Sequence, residues 1–188
     1  VQFPGIDPTV LIPALAAATE NLGFGVTYST TYFPPFQAAK LFSTLDHLTN
    51  GRIAWNVVNS YLPDAQRQGL GLQLAHDERY DRADEYLDVC YKLWEQSWDD
   101  GAIVLDAAND VHTDPSKVHE IDHHGRWFDV QGPHMVEPSP QRTPVIFQAG
   151  SSARGMQFAS RHGEVVFVAA PQGPAGAELV TQLRETAA

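Results

Sequence analysis

The chain has 188 residues, 43% of them hydrophobic and 19% charged, the composition of a folded globular protein rather than of a disordered tail. Twelve basic residues against twenty-three acidic ones leave a net charge of -11, and such a surface repels phosphodiester backbones and anionic lipid headgroups. Nucleic acid and membranes are therefore not the expected partners.

No run of about 18 apolar residues is present to form a transmembrane helix, and the first residues lack the basic region and apolar core of a secretory signal. The one cysteine, Cys90, has no partner for an internal disulfide and falls on the apolar side of a predicted helix. A buried reduced thiol in a cytoplasmic protein is the expectation. The sequence begins at Val1 rather than Met, which suggests a partial chain.

In chain order, residues 9 to 20 read as a helix with Pro13 in its first turn, and LGFGVTYST (22–30) reads as a buried strand. In 34 to 49 the positions Ala38, Leu41, Phe42, Leu45 and Leu48 repeat at three and four residues, two prolines open the segment, and Asn50-Gly51 supplies a left-handed stop. The apolar run RIAWNVV (52–58) then predicts a strand. It carries an amide at Asn56 and runs out at Asn59 and Ser60. From 76 to 97, Tyr80, Ala83, Leu87, Cys90, Tyr91 and Trp94 fall on one helical stripe, with Asp88 and Lys92 four apart on the polar face. Periodicity then lapses from 98 to about 143, a stretch long enough to be an inserted loop or subdomain, with a short hairpin around Trp127 and Phe128. The strand PVIFQAG (144–150), a helix over 152–162, the strand EVVFVAA (164–170) and a last helix from about 175 complete the pattern.

Near-continuous apolar strands separated by helices point to an α/β fold with a parallel sheet, either doubly wound or a (β/α)8 barrel. Four strands are too few for a complete barrel. In both architectures ligands sit beyond the C-terminal ends of the strands. Asn56, Asn59 and Ser60 lie at such an end, where they either line a mouth or cap the turn.

A second cluster is QAGSSARG (148–155), where a strand ends at Gly150 and a helix begins at Ser151 or Ser152. It suits either a phosphate cradle or a plain serine N-cap, with Arg154 as a neighbouring cation or a solvated arginine. It is neither a Walker A loop nor GxGxxG. In the third cluster, His76 and Tyr80 are four apart on one helix face. The histidines at 112, 119, 123, 124 and 134 raise a metal-dependent hydrolase as an alternative, but no HExxH or CxxC spacing supports it, and no metal is expected.

The segments TLDHLTNGRIAWNVVNS (44–60), HDERYDRADEYLDVCYKLWE (76–95), DPSKVHEIDHHGRWFDVQGPH (114–134) and SPQRTPVIFQAGSSARGMQFASRHGEVVF (139–167) together resemble one family, in order and spacing. It is that of the bacterial luciferase-like, FMN-dependent monooxygenases, in the branch of the nitrilotriacetate, dibenzothiophene-sulfone and long-chain-alkane enzymes. The resemblance implies a (β/α)8 TIM-type barrel, of which residues 1–188 would be a single partial domain holding the middle four βα units, with 98–143 inserted after the fourth barrel strand. It implies reduced FMN lying across the strand ends, delivered by a separate NAD(P)H:flavin reductase, and O2 with a small organic substrate. Carried onto this sequence, the flavin contacts would be Thr27, Asn56, Ser60, His76, Tyr80, Gly150, Ser151 and Ser152. His76 is also the catalytic candidate, as a proton donor. The family tends to have Thr where this chain has Asn59, and an aspartate that the family sets against the flavin would precede Val1. A homo-oligomer, and a flavin-binding relative without turnover, are the further expectations to weigh.

Overall fold

The computed structural model describes residues 6–60, 74–150, 152–168 and 173–187. The chain divides into two compact units. One comprises Val1–Val26, Pro34–Ala54 and Glu85–Pro144, the other Thr27–Phe33, Trp55–Asp84 and Val145–Ala188.

The first unit is built around helices. Helix α1 (Pro8–Ala17) starts where the Asp7 carboxylate accepts the Thr9 N–H at 2.9 Å and Pro8 takes the first helical position. Starting this early, it carries Pro13 in its interior and not in the first turn as its sequence suggests. Helix α2 (Pro35–Thr49) ends as expected: Asn50 turns left-handed at φ 52° and Gly51 follows at φ 78°. Helix α3 runs from His76 to Gln96, and its part from Glu85 onward belongs to this unit.

Between α2 and this part of α3 the packing is close. The Trp94 indole N–H reaches the Ala39 carbonyl at 3.2 Å and the Cys90 thiol lies 3.6 Å from the Pro35 carbonyl. Ala38, Phe42, Tyr86, Leu87 and Leu93 are wholly buried, each large side chain contributing roughly 2 kcal/mol through the hydrophobic effect. Burial in this apolar layer pushes the Cys90 thiol well above its ordinary pKa. Arg52, just past α2, donates to the carbonyls of Ala16, Leu22 and Thr49, so one guanidinium ties the end of α1 to the turn after α2.

The aperiodic stretch from 98 onward is folded as two small antiparallel pairs. Strands β3 (Ile103–Asp106) and β4 (Val111–Thr113) form one, β5 (His123–His124) and β6 (Asp129–Val130) the other, the hairpin expected around Trp127 and Phe128. The turn of the second pair is pinned by Glu85. Its carboxylate accepts the backbone N–H groups of Arg126, Trp127 and Phe128 at 3.0, 3.0 and 2.8 Å. Burial pushes this carboxyl upward, but those donors and the His123 ring outweigh it and hold the pKa below the ordinary glutamate value. The five histidines of the region go to separate partners: His112 to Thr113, His119 to Asp99, His123 to Glu85, His124 to Asp129 and His134 to Ser43. Among the described residues no group of three or more His, Cys, Asp or Glu is arranged to hold a metal ion.

The second unit carries the sheet. Thr27–Ser29 of β1 (Phe24–Ser29) and Trp55–Val58 of β2 (Ile53–Val58) enter it, followed by β7 (Val145–Gln148) and β8 (Val165–Val166), in the order β1-β2-β7-β8. Strands β7 and β8 pair in parallel, Phe147 opposite Val165 and Gln148 opposite Val166. Helix α4 (Ala153–His162) lies between them in the chain, as a βαβ unit requires, and α5 (Pro174–Ala187) follows β8. The fold is α/β with a parallel sheet.

The sequence pattern anticipates a strand over 164–170; β8 covers Val165–Val166 of it, and residues 169–170 lie outside those described. The ladder to β7 extends a residue to either side, since the Glu164 and Phe167 N–H groups donate to the Ile146 and Gln148 carbonyls at 2.9 and 2.8 Å. Among the described residues no helix is long and apolar enough to cross a membrane.

Candidate functional site

The site residues described all fall in the second unit. Side chains alternate along β2, so Trp55 and Val57 are buried while Asn56 turns to the other face. There the Asn56 amide donates through Nδ2 to the Thr27 hydroxyl at 2.9 Å, joining the two expected strand-end residues across neighbouring strands. Its other end is different. Asn56 Oδ1 is buried and accepts no hydrogen bond from the described residues.

One turn of chain further, Thr30 Oγ1 donates to Asn59 Oδ1 at 2.7 Å, and Asn59 Nδ2 is likewise buried without a partner among the described residues. Ser60 donates to Ser29 Oγ at 2.9 Å, and Ser29 Oγ also accepts the Thr31 N–H at 3.1 Å. Leaving an amide group buried and unpaired costs on the order of 1–3 kcal/mol. Two such groups within four residues are therefore an outlay that the fold itself does not recover.

A second group forms where β7 meets α4. Ser152 is the N-cap of α4: its hydroxyl accepts the Gly155 N–H at 3.0 Å. The N-cap reading is thus correct for Ser152, and it aims the first turn of α4, with its exposed N–H groups and partial positive charge, at the strand end. Ser151 lies outside the described residues. Gly150 donates its N–H to the Gln148 side-chain carbonyl, which fixes the bend leaving β7.

Gly155 permits a close approach that any side chain would block. A Cβ there would sit 2.8 Å from the Tyr80 hydroxyl, 3.0 Å from Ser152 Oγ and 3.1 Å from the Gly150 Cα. Tyr80 Oη is thus delivered to the helix N-terminus. The Tyr80 ring rests against Phe158 with centroids 5.5 Å apart, and His76, one turn before it on α3, lies 5.3 Å from it at a tilt of 59°. Nδ1 of His76 faces the Asp77 carboxylate at 2.6 Å, on an exposed part of the surface.

The expected residues therefore collect as two adjoining groups: Thr27, Asn56 and Ser60 on β1 and β2, and His76, Tyr80, Gly150 and Ser152 around the start of α4. The strands that lead to the two groups, β2 and β7, are neighbours in the sheet. Arg82 Nη1, donating to the Thr30 carbonyl at 2.6 Å, ties the start of α3 to the end of β1.

Arg154 is neither the phosphate partner nor the solvated arginine that the sequence suggests. Its guanidinium is only 18% exposed, binds Asp81 at 2.9 Å and Asp84 more tightly still, and lies 5.5 Å from the centre of the Tyr80 ring. Its charge is already spent on carboxylates. Sequence reasoning missed Ser29, Thr30, Gln148 and Asp84. For Asp84 the available signal was its place four residues after Tyr80, on the same helix face.

These features define an α/β protein with its polar groups collected along one end of a parallel sheet and a capped helix N-terminus beside them. The family model for luciferase-like monooxygenases matches residues 1–188, and the chain belongs to that family. It is 61% identical over 169 residues to the long-chain alkane monooxygenase of Geobacillus thermodenitrificans strain NG80-2, an alignment covering 89% of this chain and 38% of that protein. It is 52% identical over 187 residues to the dimethyl-sulfide monooxygenase of Hyphomicrobium sulfonivorans, covering 99% and 39% respectively. Among solved structures, a riboflavin lyase crystallised with modified FMN and riboflavin superposes with a TM-score of 0.92 at 42% identity, over 99% of this chain and 42% of that one. The chain thus spans about four-tenths of the length of the relatives it matches.

Proposed function

We propose that the protein to which this chain belongs is a two-component, FMN-dependent monooxygenase, and that residues 1–188 supply the middle four βα units of its (β/α)8 barrel, with 98–143 inserted after the fourth barrel strand. When bound, reduced FMN supplies the electrons with which O2 is activated to place one oxygen atom in a small organic substrate. A separate NAD(P)H:flavin reductase provides the reduced cofactor.

The residues present fit that group. A flavin ring offers N–H donors and carbonyl acceptors, and Asn56 Oδ1 is a buried acceptor with no donor of its own. Held through Nδ2 by Thr27, the Asn56 amide is oriented before any ligand arrives. Thr27 and Ser60 flank it as further hydroxyls. At the other end Tyr80, Gly150, Ser151 and Ser152, with the first turn of α4, would hold the phosphate through neutral donors and the helix dipole. His76 would exchange a proton through Nε2, its Nδ1 being taken by Asp77, which sets the tautomer. Phe158 and the Tyr80 ring pack against each other beside the helix start and would present an apolar surface there.

The observation that carries this reading is the unpaired Asn56 amide oxygen on the strand next to β7. The test is an anaerobic titration of the protein with reduced FMN, followed by labelled O2 in the presence of an alkane, a sulfide or a sulfone. Saturable binding and a labelled oxygen atom in a product support it. Absence of binding, or oxidation of the flavin with no label reaching any substrate, defeats it.

A further inference from the structure

Asp84 lies one turn beyond Tyr80 on α3, and it binds both ends of α4. One carboxylate oxygen takes the Arg154 guanidinium, two residues after the N-cap, while the other lies 2.8 Å from Nε2 of His162 at the last turn. Eight residues separate Arg154 from His162, a span of about 12 Å along a helix. Arg161 also approaches, at 3.6 Å, and Asp81 adds a second carboxylate to Arg154. The His162 side chain is 2% exposed and those of Arg154 and Asp84 about equally little, at 18% and 17%, so the cluster is poorly screened by solvent. Burial alone would raise the Asp84 pKa, yet the hydrogen bonds from His162 and Arg154 and the Arg154 charge bring it below the ordinary value.

A two-point attachment fixes the register of one helix along another. If α4 slid or tilted against α3, Gly155 would move away from the Tyr80 hydroxyl, which now sits against its backbone face. The distance between that hydroxyl and the Ser152-capped helix start is thus set by a carboxylate that reaches α4 through the Arg154 and His162 side chains. We propose that Asp84 is a positioning residue for the phosphate end of the cofactor, acting through Arg154 and His162 to hold the Tyr80 hydroxyl and the α4 N-terminus at the spacing a phosphate monoester requires. The inference rests on the FMN reading above and adds to it a residue that does not contact the ligand.

Riboflavin, which shares the ring and lacks the phosphate, separates this role from general support of the fold. Dissociation constants for FMN and riboflavin are measured by fluorescence quenching on the wild-type protein, Asp84→Ala and Asp84→Asn. The expected result for Asp84→Ala is FMN binding weakened by about 30-fold with riboflavin binding changed less than about threefold, since a charge-assisted clamp of this kind governs only the phosphate end. Asp84→Asn keeps the shape and an acceptor and is expected to lie between, at about fivefold for FMN. If Asp84→Ala does not fold, the Asn variant carries the comparison. Equal weakening of both ligands, or no change in either, overturns the inference while leaving the FMN reading intact. A wild-type protein that binds riboflavin as tightly as FMN, or binds neither, overturns both.

Discussion

Glu85 and Asn56 both carry buried polar atoms, and those atoms are treated in opposite ways. The Glu85 carboxylate receives three successive backbone N–H groups and a histidine, and nothing about it is left unsatisfied. The Asn56 amide is held at one end by Thr27 and finds no partner at the other among the described residues, with Asn59 repeating the pattern three residues on. The first arrangement costs nothing further and stabilises a hairpin. The second costs stability in the free protein and returns it only to a molecule that brings the missing donors and acceptors. A buried polar group that is completely paired stabilises the fold by itself, and one that is half paired at a strand end is what the proposed flavin site draws on.

Substitution should separate the two kinds. Glu85→Gln removes the charge from the hairpin's anchor, and we expect a loss of about 3 kcal/mol in a urea titration, with FMN affinity of the folded protein unchanged. An effect of similar size should appear with pH through His134, whose ring is buried and whose pKa is lowered to about 4, by desolvation first and by the Lys40 charge second. Its folded value lies below that of the unfolded chain, so the unfolded state takes the proton first as pH falls. The stabilisation is complete above about pH 6.5 and should drain away between there and about 4, by about 3 kcal/mol at most. Comparing denaturation of wild type and His134→Gln across that window checks it: the slope should flatten in the variant.

Asn56→Ala inverts the Glu85 pattern. It should leave stability within about 1 kcal/mol of wild type, because it deletes an unpaired acceptor, but weaken FMN binding by about tenfold. A large loss of stability instead would place Asn56 with the structural groups. The mildest effect is expected of Asn59→Thr, which restores a hydroxyl where the family tends to have one and removes the unpaired Nδ2. Stability should rise by less than about 1 kcal/mol, with a change in FMN affinity of less than about threefold.

What the sequence made legible follows the range of the forces involved. Helices α2 and α3 could be read because their stripes and the Asn50-Gly51 stop are local signals. The strand ends and the start of α4 could be read because the rule placing ligands there needs only the order of elements. The limits of β8 were not legible, since its length depends on how much of β7 faces it. Nor was the hairpin's anchor, which lies some forty residues away on α3, or the Asp84 clamp, whose partners are 70 and 78 residues distant. Arg154 was misread for that reason. A neighbouring serine is visible along the chain, and a carboxylate from another helix is not.

The four tryptophans divide unevenly between the two units: Trp55 alone belongs to the unit with the sheet, and Trp94, Trp98 and Trp127 belong to the helical one. Trp55 is fully enclosed, with its indole N–H held by the Tyr28 carbonyl at 3.0 Å. A variant keeping only that indole would emit as a blue-shifted reporter of the sheet, and its complement would report the helices. Overlaying the two melting curves would tell whether the halves come apart in one step or in sequence.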